Sequence, residues 1–224
     1  LRGAVLTGKR VVSVDMTSTK ASVRCADGSE YKADFVIATL PFVALRKVKI
    51  TPEMQGPQGE AVATMSYTGQ SQVWLRVKEP YWEHDGVEAS MWSDSSISVV
   101  RQLIGYDGNR EKASVLTTGP KADFLDRMPP KERGEYVLAE LARIRPSTEG
   151  KLEVLGCFSW KLDPYSMACR HTYKPGQMRR FRPTIAEPHH RMHFAGEHTR
   201  MMEVGAESAM ESGERAAFEI LGQI

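Results

Sequence analysis

The last stretch of the chain, HFAGEHTRMMEVGAESAMESGERAAFEIL from His193, constrains it most. A short apolar run, His193–Gly196, ends on glycine. A polar loop follows, and then Gly205–Leu221 reads as a helix. A strand that feeds a helix N-terminus through glycine is a natural anion site, because unpaired N–H groups and the helix dipole face the same point. The small residues Gly205, Ala206, Ser208 and Ala209 let a large planar ligand approach the backbone. Glu197, next to Gly196, stands where a carboxylate can accept hydrogen bonds from a ribose or from ordered water. Ala206, Ala209, Met210, Gly213, Ala216, Ala217 and Ile220 are predicted to form one small-residue face. On pattern alone, a buried C-terminal packing helix fits equally well.

The remaining elements place this segment in a mixed α/β chain, α/β or α+β in class. Strands are predicted at Arg10–Met16 and Ala21–Cys25, then an Asp27-Gly28 turn and a mostly apolar strand at Phe35–Leu40, stopped by Pro41. Pro52–Gly59 reads as a loop and Ala61–Tyr67 as a helix end. Gln70–Val77, Met91–Ser98, Ser114–Thr118 and Leu152–Trp160 read as strands. Pro129–Ile144 is the clearest helix before the tail, with Val137, Leu138, Leu141 and Ile144 at helical spacing. Lys161–Arg182 reads as irregular.

Bulk properties exclude several functions. The chain has 224 residues, 41% of them hydrophobic, enough for one or two compact domains. Thirty basic and 28 acidic residues leave a formal charge of +2, which gives no electrostatic footprint for nucleic acid or an anionic membrane. No apolar run approaches the ~20 residues of a membrane-spanning helix. The start, LRGAVLTGKR, lacks the apolar core of a signal peptide. The expectation is a soluble protein, cytoplasmic or secreted, with the compartment open. Cys25, Cys157 and Cys169 have no metal spacing, and the six histidines form no metal signature, so no metal is expected. Glycine-rich phosphate loops of the GxGxxG kind are absent. Because the first residue is Leu, the chain is expected to be a processed piece, an expression product or one subunit of a split enzyme.

Phe194, Ala195, Gly196, Glu197, Thr199, Glu207, Ser212, Gly213, Arg215, Ala216 and Ala217 reproduce a dense pattern. It resembles the closing motif of the flavin amine oxidases, which include monoamine, polyamine and L-amino-acid oxidases. VVSVDM and YKADFVIATLPFVALRKV resemble that family's middle FAD-domain segment. KEPYWE resembles its K-x-P-[FY]-W step, and FSWKLDPYSMACRHTYKPG its W-x4-Y-S-x-G stretch beside the flavin ring, with Ala168 in place of glycine. The likeness runs over essentially the whole chain, thinly between Asp85 and Glu153.

The resemblance implies a partial two-domain fold: a split FAD-binding domain (1–45 and 186–224) and a mixed-sheet substrate domain (46–185). It implies FAD, contacted by Val11, Val12, Trp160, Tyr165, Gly196, Glu197, Val204, Gly205, Ala206 and Glu207. Non-covalent binding is expected, although Cys169 falls where monoamine oxidases link their flavin. The implied reaction is oxidation of an amine-bearing carbon, with imine hydrolysis and return of O2 as H2O2. Gln72 stands where the family often has a lysine that holds a water near the flavin. Gln72, Trp160 and Arg170 are the expected catalytic residues. Arg170 and Gly205 replace the two aromatics of the monoamine oxidase cage, and an arginine suits forked binding of a carboxylate. The favoured substrate is therefore an L-amino acid. The alternatives are a monoamine or polyamine oxidase, a decarboxylating flavin monooxygenase, and a catalytically dead subunit. The family's GxGxxG fingerprint is missing, so a second polypeptide carrying it is expected to complete the FAD site in a hetero-oligomer. His171 is read as a surface histidine, with a base or substrate contact near Arg170 as the alternative, and His198 as structural or cofactor-lining.

Overall fold

A computed structural model describes residues 3–200 and 205–224. The chain divides into two compact units, residues 1–67 with 171–224 and residues 68–170. It enters the first unit through β1 (Val11–Met16), β2 (Ala21–Cys25), β3 (Glu30–Ala33), β4 (Val36–Ala38), α1 (Phe42–Leu45), β5 (Lys49–Thr51), α2 (Gly56–Thr64) and β6 (Ser66–Thr68). It builds the second from β7 (Gln70–Val77), α3 (Trp82–Asp85), β8 (Met91–Trp92), β9 (Val99–Leu103), β10 (Lys112–Thr118), α4 (Pro120–Asp126), α5 (Pro130–Ile144) and β11 (Leu152–Ser159). It returns through β12 (Arg170–Thr172), α6 (Gln177–Phe181), β13 (Met192–Phe194) and α7 (Ala206–Leu221).

The first unit holds a four-stranded sheet, β3-β2-β1-β5, and the parallel pair β4–β13. Its core joins Val14 and Met16 of β1 to Phe42, Leu45, Ala61, Met65, Phe181, Ile185, Met192 and Phe194. That shared core explains why the compact units cut the chain at different points from the expected 45/46 and 185/186. Segments 46–67 and 171–185 pack with the first unit, because their apolar residues have no other core to enter.

The second unit is an antiparallel sheet, β11-β7-β10-β9-β8. Along β7, Ser71, Val73, Leu75 and Val77 are buried while Gln70, Gln72, Trp74 and Arg76 alternate on the other face, the period-2 signature of a strand with one core side. Helix α5 covers that core with Val137 and Leu141. Within this unit Arg133 is buried. Its guanidinium lies 3.2 Å from Asp126 Oδ1 and donates to Ser71 Oγ (3.2 Å) and the carbonyls of Leu125 (3.0 Å) and Met128 (3.3 Å).

Several expected elements differ. The Pro52–Gly59 loop ends in the start of α2, because Pro57 in a first helical turn loses no hydrogen bond. The irregular stretch Lys161–Arg182 contains β12 and α6, the latter anchored by the fully buried Phe181. Of Met91–Ser98 only Met91–Trp92 is strand, and the longer strand follows at Val99–Leu103. The expected face of α7 is also corrected. Ser208, Ser212 and Ala216 are buried, whereas Ala206, Ala209, Met210 and Ala217 are exposed. Ser208 and Ser212 turn inward because their hydroxyls find carbonyl acceptors, Gly205 O and Ala209 O, at 2.8 Å each.

Candidate flavin site

The site in the first unit is built on the turn that follows β13. Met192, His193 and Phe194 are all buried, and β13 runs parallel to β4 in the register Met192–Val36, His193–Ile37, Phe194–Ala38. Gly196 then adopts φ 127°, ψ 161°, a region open almost only to glycine. A Cβ there would stand 2.8 Å from the His198 ring. Glu197–Thr199 form one 3-10 turn, closed by Thr199 N–H to Gly196 O (2.9 Å). The Glu197 and His198 amides precede that first bond and so have no acceptor inside the turn. The Gly196 N–H, which the sequence offers as an anion donor, is instead taken by Ser212 Oγ at 2.7 Å.

The Glu197 carboxylate is already engaged. One oxygen lies 3.2 Å from His171 Nδ1, and the other pairs with Arg200. His171 is therefore not the surface histidine expected. It lies in β12, 5% exposed, with its ring edge-on to Tyr67 and Tyr173. The alternation of β12, exposed–buried–exposed, carries the signal, since it turns Arg170 outward and His171 inward. Tyr67 accepts the Phe42 N–H (2.8 Å), and burial pushes its hydroxyl up to about 12.

His198 packs edge-on to Phe42 at 4.6 Å, and its buried Nε2 has no hydrogen-bond partner among the described residues. Burial, and then the neighbouring His171, push its pKa down to about 3, so it is a neutral imidazole at physiological pH. Between about pH 3 and 6.5 the unfolded chain binds a proton at this residue and the folded chain does not. Stability is therefore lost as pH falls through that window, by at most about 1.4 kcal/mol per pH unit from this group. His198→Gln is expected to flatten the acid side of an unfolding-midpoint profile between pH 4 and 6.5. An unchanged slope would show that other groups carry the acid sensitivity.

Helix α7 opens on Gly205, at φ 78° with open space around its Cα, and Ala206 and Glu207 lie exposed in its first turn. Val204 lies outside the described residues. Val11 and Val12 begin β1 at a register shift: Val11 opposes Cys25 and Ser13 opposes Arg24, which leaves Val12 out of the β2 ladder. A bulged residue keeps its backbone groups available, as an expected backbone contact requires. A glycine that excludes a Cβ, two amides without turn acceptors and a buried imidazole nitrogen with no partner among the described residues are compatible with a bound nucleotide.

The other predicted residues lie in the second unit. Gln72 is half-buried on the outer face of β7, opposite Phe158 of β11. Trp160 follows β11, donates its backbone N–H to Gln70 O (3.0 Å) and packs its ring edge-on to Phe158 at 4.9 Å. Trp74, Leu155, Phe158 and Trp160 are each roughly two-fifths exposed, an apolar surface of the kind that marks a ligand or partner face. Tyr165 is exposed in the loop after it, its N–H on Asp163 Oδ1 (3.0 Å). Cys169 Sγ lies 2.9 Å from Gln70 Oε1, on the same face as Gln72. Arg170 opens β12, exposed, and among the described residues it makes no ion pair, with Asp163 or any other acid. No helix is long and apolar enough to cross a membrane, and no group of three His, Cys, Asp or Glu could hold a metal, among the described residues.

The first unit thus holds a parallel strand pair and a glycine-led turn, and the second a sheet with an exposed aromatic face. The family model for flavin containing amine oxidoreductase matches residues 1–221, and the chain belongs to that family. Among relatives, YobN of Bacillus subtilis (strain 168) is 27% identical over 98% of this chain and 48% of its own length. The flavin-dependent L-tryptophan oxidase RebO of Lentzea aerocolonigenes is 28% identical over 95% of this chain and 47% of its own. The L-amino-acid oxidase of Crotalus adamanteus is 24% identical over 94% and 43%. Putrescine oxidase bound to putrescine shares the fold with a TM-score of 0.79 at 19% identity, over 95% of this chain and 48% of that one. The chain thus spans about half the length of the relatives it matches.

Proposed function

We propose that this chain contributes to an FAD-dependent oxidase of L-amino acids, with FAD bound non-covalently. The observation that carries the substrate class is Arg170, an exposed guanidinium without an acidic partner among the described residues. A forked guanidinium recognises a carboxylate and repels a cationic amine, so it favours an amino acid over a simple amine. The names of RebO and the Crotalus adamanteus oxidase point the same way.

Bound FAD supplies the acceptor for the hydride of the substrate's α-carbon, with O2 as the final acceptor and H2O2 as product. The chain's own residues do the rest. The Glu197 and His198 amides and the start of α7, with Gly205, Ala206 and Glu207, hold the phosphates. Val12 offers its backbone to the nucleotide. The family resemblance would set Trp160 and Tyr165 beside the flavin ring, and Gln72 would hold a water through its carboxamide without adding charge. The dinucleotide fingerprint, absent from these 224 residues, would complete the phosphate site from outside them, a second polypeptide in a hetero-oligomer being one carrier.

The test is peroxide release from the protein with any co-purified partner, against the twenty amino acids and a set of simple amines. Amino-acid-dependent peroxide supports the reading, and peroxide from amines alone sinks it. Arg170→Ala is expected to raise the amino-acid KM by about 10- to 100-fold, the worth of a charged hydrogen bond of roughly 1.5–3 kcal/mol. An unchanged KM would remove Arg170 from carboxylate binding. Acid precipitation should release the flavin; flavin retained on the chain would show a covalent link, which loss on Cys169→Ala would assign to Cys169.

A further inference from the structure

We infer that Arg215 is the positioning residue of the cofactor turn: held by Glu219, it clasps both ends of the Gly196–Thr199 turn to α7 and so aims the Glu197 and His198 amides. The inference rests on the flavin-binding reading above. It assigns a role to a side chain that touches no cofactor.

The geometry is a branched network. Glu219 divides its carboxylate, with Oε1 accepting from Arg215 at 2.6 Å and Oε2 lying 2.9 Å from His193 Nδ1. Arg215, so anchored, donates to the carbonyl of Phe194, the last residue of β13, at 2.7 Å. It also reaches Thr199 Oγ1 at 3.3 Å, and Thr199 donates in turn to Gly196 O at 2.9 Å. A further bond runs to Ala186 O at 3.2 Å. Ser212, three residues earlier and on the same helix face, holds the start of the turn through the Gly196 N–H. Two α7 side chains thus grip the turn that precedes the helix, at its start and at its end.

Arginine suits this post because its rigid fork reaches four acceptors at once, which a lysine ammonium on a flexible stem cannot do. The grip also sorts the amides. Ser212 uses the Gly196 N–H, so the next two are the ones presented. Glu197's own carboxylate is drawn to His171 and Arg200 and does not offer a bare negative charge to a phosphate. His198, a residue of the same turn, is 95% buried, and its Nε2 has no partner among the described residues.

The test compares the wild type with Arg215→Lys, Arg215→Met and the milder Ser212→Ala. FAD affinity is read by flavin fluorescence, amide hydrogen exchange at 194–199 in the FAD-free protein, and bound diphosphate by 31P NMR. Arg215→Met should weaken FAD at least tenfold, speed exchange across the turn and shift the 31P signals. Arg215→Lys should recover the melting temperature more than the FAD affinity. Ser212→Ala should show the same signature, smaller. If Arg215→Met and Ser212→Ala bind FAD like the wild type, with unchanged exchange and 31P shifts, the inference is overturned, whatever happens to the melting temperature. A wild type that takes up no flavin with its partner overturns the flavin reading instead.

Discussion

Gly196→Ala is expected to lose most of its flavin on purification, with FAD affinity reduced about tenfold to a hundredfold. Two independent costs add. The backbone at φ 127°, ψ 161° lies where a side chain costs roughly 1–3 kcal/mol. The new methyl would also meet the His198 ring at 2.8 Å. That ring cannot retreat, because Phe42 packs against it at 4.6 Å and both are buried. Relief must then come from the turn itself, which rotates the Glu197 and His198 amides away from the phosphate position. The measurement is the ratio of flavin to protein absorbance, followed by FAD titration of the FAD-free form. A variant with wild-type flavin content would show that the turn does not touch the cofactor.

Arg133→Met is expected to destabilise the second unit by about 3–5 kcal/mol, because it leaves the Asp126 carboxylate buried without its cation. Both side chains are nearly inaccessible, 4% and 6% exposed. Ser159 donates to Asp126 Oδ2 at 2.6 Å, but Oδ1 has only the arginine charge beside it. At roughly 2–4 °C per kcal/mol for a chain of this size, the unfolding midpoint should fall by roughly 6–20 °C. Arg133→Met with Asp126→Leu should recover part of the loss, since an apolar pair removes the orphaned charge. A midpoint within 2 °C or so of wild type for the single variant would mean that water reaches Asp126.

The strongest local signals in the sequence were periodic ones. Gln70–Val77 is a strand over the expected span, and Pro130–Ile144 is a helix one residue shorter than read, because each carries its hydrophobic period without interruption. Elements such as α4 and β9 were not legible: they are short, and tertiary burial rather than pattern holds them. The same limit applies to the site. Gly196, Glu197 and Gly205 could be picked out because a strand–glycine–helix order has physical meaning in one dimension. His171, Arg215 and Glu219 could not be placed beside the turn, since their contacts cross 26, 21 and 26 residues of chain.

What the sequence by itself determined is the family, the mixed α/β class, and a turn where glycine and helix amides converge. The tertiary structure decided which face of α7 is buried, because hydroxyls that find carbonyls can enter a core while methyls may stay outside. It decided that Ser212 takes the Gly196 amide and that His171 and Arg200 take the Glu197 carboxylate. Those assignments depend on distances between segments far apart in sequence, and hydrogen bonds are won by whichever partner packing brings within about 3 Å.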